Sequence, residues 1–326
     1  MSKIHDRLAI KLPIWNAGMG MGMAGAELCS VVSNARGLGV LGLGGMPPAA
    51  MHAVIARTRE LTLRAFGVNI IMPMMVEGQI ECCFDEVVPL MVLFWGDPTP
   101  YINDAHRRGI IVVSQCGDVE EAVRAADAGV DGVIVQGTEA GGHVKATRPL
   151  ADVLSETVRE LGSLPVIAAG GIATGEDIMR ALKAGASAVS MGTRFVATHE
   201  ALALESYKNR IVDVNSSETV LTKLFDIGWP DAAHRVIRNR AFNEWEQAGS
   251  PPSGERPDEN VVIGELGDGS DAMELPRYSV APPMNNYHGD LEEAALYCGE
   301  SCDRIDAITS TEAVMQQLVA ELNAAS

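Results

Sequence analysis

QGTEAGGH, residues 136–143, is one of two glycine-rich stretches that decide the fold of this chain. The other is AAGGI, residues 168–172, which leads on to SMGTRF, residues 190–195. Each follows an apolar run of strand length, and helix-like stretches separate these runs, as in a parallel α/β fold. The glycines therefore lie at the carboxyl ends of strands. In a barrel of parallel strands this end carries the active site, and a phosphate usually binds after the last two strands.

The rest of the chain supplies the strand-and-helix units of such a barrel, which needs eight of them in roughly 250 residues. The clearest helical pattern is 118–128, where Asp118 caps the start and Gly129 ends the helix. The segment 175–184, closed by Gly185, repeats this pattern. We therefore predict a (β/α)8 TIM barrel with a smaller C-terminal cap of helices and loops. Its strands are predicted at residues 12–17, 39–43, 66–70, 88–94, 110–113, 132–135, 165–168 and 187–191.

Composition indicates an enzyme-sized chain with a substantial core, because 47% of its 326 residues are hydrophobic. The N-terminal segment 1–12 is charged and lacks the apolar region of a signal peptide, and no apolar run is long enough to cross a bilayer. We therefore expect a cytoplasmic protein. A formal net charge of −18 disfavours binding to nucleic acid and to anionic membranes. An anionic ligand would need a local site of hydrogen-bond donors.

The six cysteines have neither paired CxxC spacing nor histidines at zinc-finger intervals, so we predict no metal site. Cys298 and Cys302 lie four residues apart and would share one face of a helix. A redox pair is one interpretation of this spacing. The other is a pair of reduced thiols that pack as small hydrophobic side chains.

The strand-helix alternation stops after residue 211, which predicts a barrel over 1–211 and an inserted cap over 212–289. Within the cap, 249–260 is rich in Pro, Gly, Ser and charge and is predicted to be a flexible loop. C-terminal helices over 290–326 are expected to pack on the barrel or the cap. The cap either covers the barrel mouth and excludes water, or packs only against the side of the barrel or a neighbouring subunit. Helical patterns are assigned to 232–246, 291–298 and 311–323.

A phosphate site is predicted from the glycines after the last two strands. Gly170 and Gly171 precede a helix that begins near Gly175, so backbone N–H groups and a helix N-terminus would face an anion there. Gly192 and Thr193 add another N–H and a hydroxyl, and Arg194 adds positive charge nearby. A Rossmann site is disfavoured, because no Gly-x-Gly-x-x-Gly opens a strand-helix-strand unit with a correctly spaced acid. The stretch GMGMG at 18–22 instead suits a backbone that passes close beneath a flat ligand.

Six stretches of the chain form a recognisable set: PIWNAGM at 13–19, SNARGLG at 33–39, VN at 68–69, QGTEAGGH at 136–143, GGI at 170–172 and MGTRF at 191–195. Together they resemble the nitronate monooxygenases, formerly called 2-nitropropane dioxygenases. The resemblance covers nearly the whole chain. The same motifs recur in related flavin-dependent enoyl-acyl-carrier-protein reductases and in certain NADH:quinone reductases.

The resemblance implies FMN, bound non-covalently across the C-terminal mouth of the barrel. The residues that it assigns to the cofactor are Ala17, Gly18 and Met19 along the isoalloxazine, Asn69 and Gln136 as hydrogen-bond partners, Gly141 and Gly142 passing close by, and Gly170, Gly171, Gly192 and Thr193 at the phosphate.

The chain departs from the family pattern at two places. Asn16 and Gly18 stand where Gln and Pro are usual, which puts the contacts at that edge of the flavin in doubt. Val144 and Lys145 follow the histidine of the QGTEAGGH stretch, where the reductases often carry a hydrophobic residue and then Gly. This second departure weakens the reductase interpretation.

His143 is the predicted catalytic residue, because it follows two glycines at a strand end and a neutral imidazole accepts a proton near neutral pH. In the family this position deprotonates a nitroalkane or orients an anionic nitronate. The alternative is a histidine that only shapes the pocket. Glu139 is either a supporting partner of His143 or a side chain that faces solvent. His288 is a weaker candidate that would enter the site from the cap.

The resemblance implies a specific reaction: an alkyl nitronate such as propionate 3-nitronate is oxidised by oxygen, through a flavosemiquinone, to a carbonyl compound and nitrite. The substrates would be a small nitronate or nitroalkane and oxygen, and a helical extension of this kind is compatible with a homodimer. The alternative is an NAD(P)H-dependent FMN reductase of quinones or enoyl thioesters. A third hypothesis is a non-catalytic flavin carrier. Methionines predicted for the pocket or, equally, for the core are Met19, Met21, Met72, Met74 and Met75.

Overall fold

The computed structural model describes residues 2–267, 269 and 272–325. Within them, eight parallel strands form one sheet that curves into a barrel. The strands are β1 (Ile14–Asn16), β2 (Gly39–Gly42), β3 (Phe66–Ile71), β4 (Leu90–Phe94), β5 (Ile111–Cys116), β6 (Gly132–Gln136), β8 (Val166–Ala169) and β9 (Ala188–Met191). Their order in the sheet is β1-β9-β8-β6-β5-β4-β3-β2. The TIM-barrel prediction is confirmed, and each strand lies within a few residues of its predicted position. A short strand, β7 (Gly142–His143), follows β6 and leaves the barrel wall.

The barrel closes at a seam between β1 and β2, where the ladder is reduced to one parallel bridge from Trp15 to Leu38. The buried side chain of Asn16 completes this seam. Its Nδ2 donates to the Val40 carbonyl at 2.8 Å, and its Oδ1 accepts from the Val40 N–H at 3.0 Å. Asn16, which departs from the family pattern, therefore satisfies both backbone polar groups of buried Val40.

Helices surround the barrel. Up to the end of the last strand-and-helix unit they are α1 (Lys3–Leu8), α2 (Ala26–Asn34), α3 (Pro48–Leu61), α4 (Gln79–Asp85), α5 (Thr99–Arg107), α6 (Val119–Ala128), α7 (Leu150–Leu161), α8 (Gly175–Lys183) and α9 (Thr193–Val196). The ends of α6 follow the predicted capping chemistry, because Asp118 accepts from the Glu121 N–H at its start and Gly129 ends it with φ of 101°. Thr174 and Asp177 form a capping box on α8.

Two apolar layers hold the barrel together. One lies between the sheet and the surrounding helices, and the other fills the interior with side chains such as Trp15, Val92 and Ile134. The N-terminal helix α1 contributes buried Ile4 and His5 to the amino-terminal end of the barrel, where His5 Nε2 accepts from the Trp15 indole at 3.4 Å. In the described part of the chain, no helix is both long and apolar enough to cross a membrane.

The stretch between α9 and the last helix, residues 197–310, will be called the insert. It contains the helices α10 (Glu205–Asp213) and α11 (Arg240–Gln247), together with two small antiparallel sheets. In the first sheet β10 (Thr219–Thr222) pairs with β11 (His234–Ile237), which pairs with β7 of the barrel. In the second, β12 (Val262–Leu266) lies between β13 (Met273–Pro276) and β14 (Tyr287–Gly289).

Two helical assignments in the insert are wrong. The segment 232–246 begins as the strand β11, because its β-branched residues complete a sheet with β10 and β7, and only its second half is helical. The segment 291–298 forms just a short 3-10 helix, Leu291–Glu293, and then extended backbone that bridges from Tyr297 to Val236. The third assignment is confirmed as α12 (Thr311–Ala324), which packs against α8 and α2 and completes the helical ring of the barrel.

Buried arginines organise the insert. Arg256, in the predicted loop 249–260, bonds the Leu224 carbonyl and pairs with Asp226 and Glu259. Arg277 and Arg256 both lie over the ring of Tyr278. The segment is a loop with an anchored centre, and its flexibility stays a prediction.

Candidate active site

A pocket opens at the carboxyl ends of the barrel strands and collects most of the residues predicted for the site. The pocket wall also includes five residues of the insert, namely Tyr207, Trp229, Val280, Pro282 and Tyr297. The insert therefore borders the mouth of the barrel. The predicted residues that line the pocket are Ala17, Gly18, Met19, Asn69, Gln136, Gly141, Gly142, His143, Gly192 and Thr193. Gly170 and Gly171 lie outside this lining.

His143 is held at the pocket by the pairing of β7 with β11, which places it opposite His234. Its ring stacks on Trp229, with centroids 4.0 Å apart and planes inclined by 17°. Its Nε2 is buried without a hydrogen-bond partner among the described residues. Burial, with a smaller effect of His234, holds the pKa of His143 well below 6.5, so the imidazole is neutral at physiological pH.

His234, which the sequence did not single out, is locked in one neutral tautomer. Its Nδ1 lies 2.9 Å from the Ala232 carbonyl and its Nε2 accepts from the Phe225 N–H at 3.2 Å. The carbonyl can only accept, so Nδ1 carries the proton. Burial lowers the pKa of His234 to about 4. The two rings are 5.4 Å apart, so a neutral His234 keeps another positive charge away from His143.

Gln136 lines the pocket and also hydrogen-bonds to the strand that carries His143. Its amide donates to the His143 carbonyl at 3.0 Å and accepts from the Lys145 N–H at 3.2 Å. Both polar atoms therefore hold the strand that carries His143. The Asn69 amide is less strongly hydrogen-bonded than that of Gln136, since its Nδ2 makes one long contact of 3.4 Å to the Val92 carbonyl. Lys145, part of the departure from the reductases, pairs with Glu121 beside the pocket.

An aromatic wall faces His143 and was missed by the sequence analysis. Trp95 and Trp229 pack with ring centroids 5.1 Å apart, and the ring of Tyr297 lies 5.5 Å from His143. The backbone of Trp95 has φ of 65°, a left-handed conformation that a bulky residue rarely adopts and that concentrates at functional sites. Nothing in the pattern of single aromatic residues indicates that they converge. Of the five methionines, Met19, Met21 and Met74 line the pocket.

The glycine turns differ in backbone conformation and in how open they are. Gly170 and Gly171 have φ of 111° and 66°, which restricts these positions to glycine. A Cβ at Gly192 would meet only Ala17, at 3.8 Å, so this backbone is open on the pocket side. The prediction that the N-terminus of α8 faces the anion is wrong, because carboxylates of the chain occupy it. Asp177 accepts from the Ala173 and Thr174 N–H groups, and Glu321 accepts from the Gly175 N–H.

Arg194 lies directly after the Gly192–Thr193 turn and is 3% exposed. Its Nη2 contacts Gln317 at 3.3 Å, while its Nη1 is buried without a hydrogen-bond partner in the part of the chain that the structure describes. Burial lowers the pKa of Arg194. A buried cation with an unsatisfied donor, next in sequence to an open glycine turn, is a group that an anion would satisfy.

Other candidates have structural positions. Glu139 accepts from the Leu150 N–H at the start of α7, and in the described part of the chain it has no hydrogen bond to His143. His288 is exposed on β14 and does not line the pocket. Cys298 and Cys302 are buried free thiols, and the helix-face prediction is wrong because Cys298 precedes the 3-10 helix Glu300–Arg304. A hydrogen bond from Cys298 lowers the pKa of Cys302.

Comparison with known proteins agrees with this geometry. The model of a family described as nitronate monooxygenase matches residues 1–80 and 74–321. The chain is 32% identical over 249 residues to a (3aS,4S,5R,7aS)-5-hydroxy-7a-methyl-1-oxo-octahydro-1H-indene-4-carboxyl-CoA dehydrogenase of Rhodococcus jostii, covering 76% of this chain and 68% of the relative. It is 28% identical over 291 residues to a probable nitronate monooxygenase of Staphylococcus aureus, covering 76% and 81%.

Two solved structures match nearly the whole chain. FabK from Thermotoga maritima has a TM-score of 0.80 at 29% identity and covers 99% of this chain and 96% of its own. A nitroalkane oxidase from Streptomyces ansochromogenes has a TM-score of 0.78 at 27% identity and covers 99% of both chains.

Proposed function

Because the chain belongs to the nitronate monooxygenase family, whose members are flavin-dependent oxidoreductases, we propose that it oxidises alkyl nitronates with oxygen to a carbonyl compound and nitrite. The observation that carries the proposal is the buried, unpartnered Nε2 of a neutral His143 in the pocket. A polar atom left without a partner costs free energy unless a ligand satisfies it. A nitronate, with its two oxygens, is a ligand of the right polarity.

The low pKa of His143 favours a nitronate over a neutral nitroalkane as substrate. A base whose pKa is far below the working pH takes a proton poorly from a carbon acid. The same neutral ring still offers one N–H and one lone pair, and its donor can orient the oxygens of a preformed nitronate. The stack with Trp229 fixes the plane of the ring. Within the described lining, the pocket offers neutral polar groups rather than cationic side chains.

We propose FMN as the cofactor, which would supply the electron transfer between nitronate and oxygen. Its ring system would lie against the backbone of Ala17, Gly18 and Met19, with Asn69 and the Gly141–Gly142 backbone beside it. Its phosphate would sit at Gly192 and Thr193, near Gly170 and Gly171. Support for this placement comes from the open face of Gly192 and the unsatisfied Nη1 of Arg194. Gln136 would act through the His143 strand that it holds.

The test is oxygen uptake by purified, flavin-loaded protein with propionate 3-nitronate and, separately, with an alkyl nitronate that lacks the carboxylate, without nicotinamide. We expect oxygen uptake matched by nitrite release. A flat trace with both substrates, from protein whose flavin content has been measured, would contradict the assignment.

A second candidate is the NAD(P)H-dependent reduction of an enoyl thioester, favoured by the similarity to a relative whose name specifies a CoA thioester. The two candidate functions are distinguished by mixing the flavin-loaded protein with reduced nicotinamide under anaerobic conditions. A reductase would have its flavin bleached by NADH or NADPH and reoxidised by an enoyl thioester, whereas the nitronate enzyme would show neither step.

A further inference from the structure

The 3-10 helix Glu300–Arg304 and the glycine before it, residues 299–304, contact the glycine-rich turns after β6, β8 and β9. We call this segment the clamp. It belongs to the insert, more than a hundred residues away in sequence from each turn. Its contacts are hydrogen bonds to the turn after β6, the turn after β8 and the turn after β9.

The first two of these contacts come from the backbone of the clamp. The N–H of Gly299 donates to the Thr193 hydroxyl at 2.9 Å, and the N–H of Glu300 donates to the Glu139 carbonyl at 2.9 Å. The approach is close, since a Cβ at Gly299 would lie 2.7 Å from the Gly141 nitrogen. The position therefore needs glycine, and the clamp lies directly on the QGTEAGGH stretch.

The third contact comes from a side chain. Arg304 Nη2 donates to the Gly171 carbonyl at 2.6 Å, and its Nε donates to Asp177 Oδ2 at 3.0 Å. One guanidinium thus ties the carbonyl of the turn after β8 to the carboxylate that caps α8. Such charge-assisted hydrogen bonds are among the stronger ones in proteins.

The turn at Gly170 and Gly171 needs such a restraint. Both residues have positive φ, and glycine loses more conformational freedom on ordering than any other residue. A free turn would have to be ordered by the ligand at a cost in affinity, whereas a turn already held by Arg304 would not.

We propose that Arg304 is a positioning residue for the phosphate of the cofactor: it preorganises the Gly170–Gly171 turn without contacting the reacting atoms. This inference rests on the proposed FMN site. Arg235 holds the other end of the clamp, because its guanidinium bonds the Thr138 carbonyl and pairs with Glu300 at 2.9 Å. The clamp is therefore fixed at both ends.

The experiment compares the affinities of FMN and riboflavin, measured by flavin fluorescence with protein stripped of flavin and refilled. For Arg304→Met we expect FMN to bind about 10-fold more weakly, after allowance for the partial exposure of this arginine, while riboflavin binding stays within twofold. Arg304→Lys should recover part of the FMN affinity, since lysine donates to the carbonyl but loses the forked geometry.

Arg180→Met is the matched control. Arg180 pairs with the same carboxylate, Asp177, at 3.1 Å, but its side chain is 75% exposed and, among the described residues, it has no hydrogen bond to the glycine turn. It should leave both flavin affinities unchanged. Equal weakening of FMN and riboflavin by Arg304→Met, or no weakening of either, would overturn the inference. Wild-type protein that binds no flavin would overturn the proposed function together with it, whereas flavin binding without nitronate oxidation would overturn the nitronate assignment alone.

Discussion

The barrel and the insert are stabilised in different ways. The barrel relies on apolar side chains on both sides of its parallel strands, with polar seams such as Asn16 as the exception. The insert has small apolar clusters and depends on Arg256 and Arg277, each 6% exposed or less and each bound to several carboxylates. Parallel sheets are therefore tolerant of exchange between similar apolar residues, whereas a network of buried charges fails when a single partner is removed.

The largest loss of stability is expected from a substitution in the insert. Arg277→Met would leave Glu293, which is 8% exposed, with one fewer cation and would remove the contact with the Tyr278 ring. We expect the free energy of unfolding to fall by about 4 kcal/mol, measured by chemical denaturation. Arg148→Met, which breaks an exposed pair with Glu156, is the control and should change it by less than about 0.5 kcal/mol. Similar losses from the two variants would show that the buried network has no special weight.

The barrel has its own sensitive point at the seam. Asn16→Ala would leave the N–H and the carbonyl of Val40 unsatisfied in the core, so we expect a loss of about 3 kcal/mol. Asn34→Ala, at an exposed position that bonds the Leu61 carbonyl, should have a much smaller effect. The free energies of unfolding of the two variants are measured from denaturation curves. An Asn16→Ala barrel as stable as the wild type would mean that water replaces the amide.

His143 lies where the two regions meet, and its replacement tests the site rather than the fold. For His143→Gln we expect kcat/KM for a nitronate to fall about 100-fold, with an unchanged denaturation midpoint. His288→Asn, on the exposed β14 strand of the insert, should keep wild-type kinetics. Retention of activity in His143→Gln would favour the alternative in which this histidine only shapes the pocket.

The smallest effect compares one buried histidine from each region. Burial lowers the pKa of His5 in the barrel and of His234 in the insert to about 4. The unfolded chain, with histidine pKa near 6.5, binds the extra protons first, so stability is present at pH 7 and is lost as the pH falls toward 4. Each histidine should account for about 2 kcal/mol of loss between pH 7 and 4.5.

The measurement is the free energy of unfolding at pH 7 and at pH 4.5 for wild-type protein, His5→Asn and His234→Asn. Each variant should show a shallower pH dependence than the wild type. An unchanged slope in one variant would show that the imidazole concerned is protonated or hydrated in the folded protein.

The parts that could be read from the sequence are those governed by local patterns. Apolar runs of strand length located all eight barrel strands, and Asp118 and Gly129 marked the ends of α6. The glycine-rich stretches identified part of the pocket lining, including His143. Trp95, Trp229 and Tyr297 could not be predicted to meet at His143, because they come from three distant segments and nothing local marks their convergence. For the same reason, Arg304 and Gly171 form a pair across 133 residues without a sequence signal.

The position of α12 has a consequence for synthesis on the ribosome. Val314, Met315 and Leu318 of this helix are buried in the main core beside α2 and α8, so the apolar faces of those helices stay uncovered until α12 emerges. The insert, residues 197–310, is translated in between, which takes roughly 6 to 23 s at about 5–20 residues per second. The nascent barrel therefore spends that interval as an incomplete ring, the stage at which chaperones would find most to bind.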